Sequence, residues 1–221
     1  MTGALRRVLG AKAFFFGLTL LLGCSQRTDE GFGELANLCR ELGGGAVHRI
    51  AEPVDGYVDE TDFACGSLCA GNLAASKYKY IEAYSPQADH KHYVPSVGTF
   101  RFQLSKPSDP QCELFEQQIA AKRRPKEFNG SCVATLPIDQ LSLRYSFSLS
   151  RRPYREGSDF VIARHHQIIR DRITKEVLAE YSSFSLYRKG GSSRVFTCLD
   201  VDNAYDYKPF SMYDVLPKAG L

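Results

Sequence analysis

Apolar and polar positions alternate along this chain with two periods. Phe32, Leu35, Leu38, Cys39 and Leu42 recur at helical spacing between Asp29, a candidate cap, and Gly43-Gly44-Gly45, which stops the run; a helix is predicted over 29–42. Ala46 to Ile50 and Val54 to Val58 read as short extended pieces around Glu52-Pro53, and Cys65 to Leu73 as a helical turn or two. Tyr78, Tyr80, Glu82 and Tyr84 alternate with Lys77, Lys79, Ile81 and Ala83, the period of a strand. Phe100, Phe102 and Leu104 mark a second strand after the loop from Pro86 to Gly98, and the two suit a wide hairpin. Asp109-Pro110 opens another helix, with Cys112, Phe115 and Ile119 on one side, that ends by Pro125.

Strands follow. Cys132 to Leu136 is short, whereas Leu141, Leu143, Tyr145, Phe147 and Leu149 alternate cleanly with Ser142, Arg144, Ser146, Ser148 and Ser150. Phe160 to Ile169 and Val177 to Tyr187 complete an antiparallel meander, with a bulge expected near Ser182 and Ser183, where the apolar phase changes. Arg194 to Leu199 adds one more strand, and the tail through Leu221 has no clear period. The expected fold class is α+β, with two or three short helices in the N-terminal half, a mainly antiparallel sheet and disulfide braces. Composition agrees: 43% hydrophobic and 24% charged residues in 221 exclude a disordered, collagen-like or polytopic membrane chain.

The first residues follow a different rule. Arg6, Arg7 and Lys12 precede the apolar run Ala13 to Leu22, which leads to Gly23 and Cys24. At about ten residues, or about 15 Å as a helix, this run is too short for a bilayer core of about 30 Å and reads as a signal peptide. Leu21-Leu22-Gly23-Cys24 resembles the lipobox of bacterial prolipoproteins. The resemblance covers residues 1–25 and implies acyl chains on Cys24, each buried methylene contributing about 0.8 kcal/mol. Ser25 stands where an aspartate holds such products at an inner membrane, so the resemblance implies an outer membrane, with the body facing the periplasm. The organisation expected is a signal peptide over 1–23, a lipidated N-terminus and short tether over 24–31, and a single α+β domain over 32–221. The body is similar to uncharacterised exported bacterial proteins and carries no motif of a characterised family.

Setting Cys24 aside leaves six cysteines, Cys39, Cys65, Cys69, Cys112, Cys132 and Cys198, an even number in a chain routed to an oxidising space. Three disulfides are expected. Sequence does not choose the connectivity. Cys112 with Cys132 leads, closing a loop of about 20 residues worth about 3 kcal/mol; Cys39 with Cys65 or Cys69 comes next, and Cys198 takes the remaining partner. Zinc on Cys39, Cys65 and Cys69 is the weaker reading, since structural sites show two close ligand pairs. No metal or other cofactor is expected.

Net charge adds little, because the excess of +3 equals the contribution of Arg6, Arg7 and Lys12. Its distribution adds more: residues 24–100 hold 6 basic and 11 acidic groups, whereas residues 141–189 hold 10 basic and 5 acidic. Arg144, Arg151, Arg152, Arg155, Arg164, Arg170, Arg172, Arg188 and Lys189 make the sheet half basic, which suits an anionic envelope polymer or an acidic partner, although such residues also keep sheet surfaces soluble. Overall neutrality gives no case for nucleic acid. Asp89-His90-Lys91-His92 offers metal-type ligands, but a third from His48, His165 or His166 has no reason to lie close, and His165 and His166 point to opposite faces. Glu52, Asp55, Asp59, Glu60 and Asp62 form an acidic stretch that reads as a solvated loop. Hydrolase and nucleotide-binding signatures are missing, so no catalytic residue is assigned.

The expected function is that of a membrane-anchored envelope lipoprotein, a non-enzyme with a binding or structural role. Its partners are the membrane, through the lipid, and another envelope protein or an anionic polymer. The alternative is a surface-tethered hydrolase acting on cell-wall or polysaccharide material; a third is a carrier with a cavity lined by Tyr78, Tyr80, Phe100 and Phe102.

Overall fold

The structure is a computed structural model and describes residues 31–61, 65–89, 92–120, 130–191, 194–201 and 210–220. Helix α1 (31–42) leads into strands β1 (Gly44–Val47) and β2 (Gly56–Asp59), then helix α2 (Ser67–Ala74). Strands β3 (Tyr80–Ser85) and β4 (Gly98–Ser105) follow, and a 3-10 turn (Pro110–Cys112) runs into helix α3 (Glu113–Ala120). Next come β5 (Cys132–Ile138) and the long strands β6 (Tyr145–Glu156), β7 (Phe160–Asp171) and β8 (Val177–Arg188). Strand β9 (Arg194–Thr197), a 3-10 turn (Cys198–Asp200) and helix α4 (Met212–Val215) complete the described chain.

The strands form one mixed, mainly antiparallel sheet in the order β1-β8-β7-β6-β2-β3-β4-β5, with β9 also on β8. It is richer in sheet than the expected fold, because β6, β7 and β8 each run to 12 residues. The meander leaves out one feature: β2 lies parallel to both β3 and β6. A parallel neighbour needs a crossover, and α2 supplies it between β2 and β3. The close approach requires glycine at 56, where a Cβ would strike the Tyr80 carbonyl oxygen. A register irregularity in β8 falls between Leu186 and Tyr187, against β9.

The described residues gather into two compact units, to both of which β6, β7 and β8 contribute. In the first, α1 buries Leu35, Leu38 and Cys39 against Phe160, Ile162, Phe184 and Leu186, with Phe32 edge-on to Phe196 at 5.0 Å. Cys39 is bridged to Cys198, and the turn carrying Cys198 is capped reciprocally by Thr197 and Asp200. In the second, α2, α3, β2 to β5 and the tail enclose Tyr57, Leu73, Ile81, Phe102, Phe115, Leu178 and Leu216. This unit holds the bridges Cys65–Cys69 and Cys112–Cys132.

The tail is more regular than its sequence. Ser211 and Asp214 cap α4 reciprocally, and the Val54 amide donates to the Pro217 carbonyl at 2.8 Å while the Ala219 amide donates to the Val54 carbonyl at 2.9 Å. Tyr78 donates to the Leu216 carbonyl at 2.8 Å. Among the described residues no helix is long and apolar enough to cross a membrane.

The bridges span 159, 20 and 4 residues of sequence for Cys39–Cys198, Cys112–Cys132 and Cys65–Cys69. Loop-closure entropy then ranks their contributions at about 5, 3 and 2 kcal/mol. Urea unfolding of the three double-alanine variants is expected to show that order; the largest loss on removing Cys65–Cys69 would refute the entropic ranking.

Candidate functional site

Among the described residues of the second unit three acidic side chains are buried, and they are treated very differently. Glu82, on β3, has no exposed surface. Its Oε1 accepts from Arg101 Nη2 at 2.6 Å, Arg101 Nε at 3.2 Å and Ser142 Oγ at 2.8 Å. Its Oε2 accepts from the amides of Ser142 at 2.6 Å and Leu143 at 3.1 Å. Burial pushes its pKa up, but the hydrogen bonds from Arg101, Ser142 and Leu143 outweigh this and leave it below the usual glutamate range.

Asp171, at the end of β7, is equally buried. Arg144 Nε and Nη2 both donate to its Oδ2 at 2.8 Å, and the amides of Ile173 and Thr174 donate to Oδ1 at 2.9 and 3.2 Å. Burial again opposes ionisation, and Arg144 with the two amides overcomes it, so the carboxyl lies below the usual range. Arg49 approaches at 3.5 Å while pairing with Glu176 at 2.9 Å, and Arg172 donates to the Leu143 carbonyl at 2.6 Å.

Asp59, the last residue of β2, is 2% exposed. The Thr61 amide donates to its Oδ1 at 3.0 Å, but Oδ2 is buried without a hydrogen-bond partner. Among the described residues no Lys, Arg or His makes an ion pair with it. Burial raises its pKa to about 6, Thr61 opposing and Glu60 adding to the rise. Two residues earlier, Tyr57 is pushed above the usual tyrosine range, first by burial and then by the Asp59 charge. Asn72 Nδ2 donates to the Tyr57 hydroxyl at 2.9 Å, and Tyr213 donates to Asn72 Oδ1.

The remaining residues singled out in the sequence are dispersed. Within the acidic stretch Asp55 pairs with Lys79 at 2.9 Å and Glu60 lies 3.9 Å from Arg172, whereas Asp59 is core; a solvated loop is therefore the wrong description of it, because β2 is central in the sheet. Asp62, Cys24 and His90 lie outside the described residues. His92 Nδ1 meets Asp89 Oδ2 at 2.6 Å. His48 and His166 both approach Glu180, at 3.7 and 3.3 Å, a convergence that spacing does not reveal. Among the described residues no group of three or more His, Cys, Asp or Glu side chains is placed to hold a metal ion. Of the four rings named for a carrier cavity, Tyr78, Phe100 and Phe102 are buried in one core, whereas Tyr80 lies under Arg101 at 4.5 Å on the other face of the sheet.

Cys39 meets Cys198 rather than Cys65 or Cys69, which bridge each other; Cys112 meets Cys132. The sequence does not disclose the roles of Glu82, which shares a strand face with Tyr78, Tyr80 and Tyr84 in its alternation, or of Arg144, which falls on a serine-rich polar face. The available signal was weak: a glutamate amid Tyr80, Ile81 and Ala83, and an arginine opposite Asp171 across a meander turn. Comparison with protein-family models, curated proteins and solved structures finds no match for this chain.

The two kinds of buried carboxyl respond to pH with opposite signs. The folded pKa of Asp59 lies above its ordinary 3.8, so its contribution to stability is present below that value and is lost as pH rises to about 6. Glu82 is lowered from 4.5, so its contribution is present above that value and is lost as pH falls through the folded pKa. Asp59→Asn is expected to stabilise the protein at pH 7 by up to about 3 kcal/mol and to change little near pH 4. Glu82→Gln is expected to cost about 2 kcal/mol at pH 7. Urea titrations across that range check both; a stability loss for Asp59→Asn at pH 7 would contradict the assignment.

Proposed function

We propose that the chain is a membrane-anchored envelope lipoprotein whose body has a non-enzymatic role, binding another envelope protein or an anionic envelope polymer. The observation that carries this reading is the run Ala13 to Leu22 between three basic residues and Leu21-Leu22-Gly23-Cys24, which makes Cys24 the acylated residue. The three cysteine bridges support it, because a body with six oxidised cysteines belongs in an oxidising compartment. Ser25 favours the outer membrane, with the body facing the periplasm. Exposed Arg152, Arg155, Arg188, Lys189 and Arg194 support an acidic partner, although Arg155 is paired with Glu34 at 2.8 Å and Lys189 lies 3.6 Å from Glu156.

One observation favours the hydrolase alternative: a carboxyl at about 6, as Asp59 has, lies in the range of a catalytic acid. Its 2% exposure stands against substrate access. Release of soluble fragments from cell-wall polymer by the wild type, lost in Asp59→Asn, would move the assignment to that alternative.

Wild-type protein expressed in a Gram-negative host is expected to take up labelled palmitate and to sediment with outer membranes. Cys24→Ala is expected to lose the label and leave the membrane fraction. Unlabelled wild type would defeat the anchoring assignment.

A further inference from the structure

Strand β2 joins β6 through only two residue pairs, Val58 with Ser146 and Asp59 with Phe147, extended by the Glu60 amide donating to the Phe147 carbonyl at 2.8 Å. In the strand order this is the ladder between the group β1-β8-β7-β6 and the group β2-β3-β4-β5. By contrast β4 and β5 share seven pairs and β3 and β4 share six. The shortest of these ladders therefore ends on the carboxyl that lacks a cation.

We propose that Asp59 makes the seam between β2 and β6 responsive to protons: the protonated side chain lets the two pairs hold, and ionisation parts the end of β2 from β6 so that the carboxylate reaches water.

The surroundings give an ionised Asp59 little help. Just past the strand Glu60, itself 3.9 Å from Arg172, adds repulsion, and on the strand Tyr57 is a neutral phenol bound to Asn72. Ser146 and Phe147 of β6 and Ile81 of β3 carry no charge. Glu82, which pairs with Val58, is itself acidic and is committed to Arg101, Ser142 and Leu143. With Oδ1 satisfied by Thr61 and Oδ2 unpaired, exposure to water is the available relief, and it costs only the few bonds of the seam. The rise of the Asp59 carboxyl to about 6 places the transition in mildly acidic conditions. Glu82 and Asp171 have arginine partners and lack this property.

Hydrogen–deuterium exchange of the whole protein, read by mass spectrometry and corrected for intrinsic rates, tests this between about pH 4.5 and 7.5. Protection of the amides from Tyr57 to Thr61 is expected to fall as pH rises towards about 6 and to level off above it, by about 30-fold within this window. Amides of β4 and β5 are expected to keep theirs, and Asp59→Asn is expected to remove the pH dependence. The proposal fails if wild-type protection at the seam is flat, if β4 and β5 open in parallel, or if Asp59→Asn keeps the wild-type profile. Should that variant not fold, carboxyl carbon NMR of the wild type decides: one aspartate titrating near 6 together with a shift of the Phe147 amide supports the proposal, and all aspartates titrating below about 5 overturn it.

Discussion

Two carboxylates without contact to water, Glu82 and Asp171, hold the run from Ser142 to Arg144, and the start of β6 follows from it. Each is hydrogen-bonded by an arginine and two successive backbone amides, with Arg49 also 3.5 Å from Asp171, so each carries its charge in the interior with its oxygens satisfied. Glu82 takes the amides of Ser142 and Leu143, while Arg144 reaches Asp171 and its carbonyl accepts from the Arg172 amide at 2.7 Å. Residues so committed cannot also run a ladder. That is why β6 begins at Tyr145 although the alternation begins at Leu141. Either carboxylate, deprived of its arginine, would be a buried charge in a medium that tolerates none.

Elements set by local pattern were legible in the sequence, and elements set by partners elsewhere were not. The period of 2 at Tyr80 to Tyr84 and at Phe100 to Leu104 places both strands and their hairpin, since one face of each is core. Helix 31–42 shows in Phe32, Leu35 and Leu38 for the same reason. The parallel placing of β2 is invisible locally: Gly56-Tyr57-Val58-Asp59 reads the same whichever way its neighbours run, and only the crossover through α2 settles it. Helix α4 escaped notice because its four residues are held by a Ser211 and Asp214 cap and by Tyr78 and Asn72, far away in sequence. At the candidate site, Asp59 was seen as one of five acidic residues; its isolation is a matter of burial and missing cations, which spacing does not encode.

The cysteines repeat that lesson. Cys112 and Cys132 are the natural pair in the sequence because a helix followed by a strand closes a loop of 20 residues, and the structure joins them beside Ser105, the ladder partner of Cys132. Cys39 and Cys198 stand 159 residues apart and meet because α1 packs on Phe184 and Leu186, beside which β9 delivers the turn with Cys198. The Phe184 amide lies 3.3 Å from the Cys198 sulfur, so strand, turn and helix converge on one apolar point. Nothing in the spacing of the thiols expresses that convergence.

Asp59 is the exception among the buried carboxyls. A fold that provides an arginine and two amides for each of two buried carboxylates has the means to do so for a third, or to place an asparagine there. Instead a carboxyl with one unpaired oxygen sits at the end of a two-pair ladder, where local disruption costs least. Buried polar groups left partly satisfied lower stability, and they persist where the strain serves some purpose or where the rest of the structure tolerates the cost. Tolerance alone explains the burial but not the position. The carboxyl lies on the ladder whose loss leaves the longer β3-β4 and β4-β5 ladders intact, so its charge is expressed as local movement rather than as unfolding.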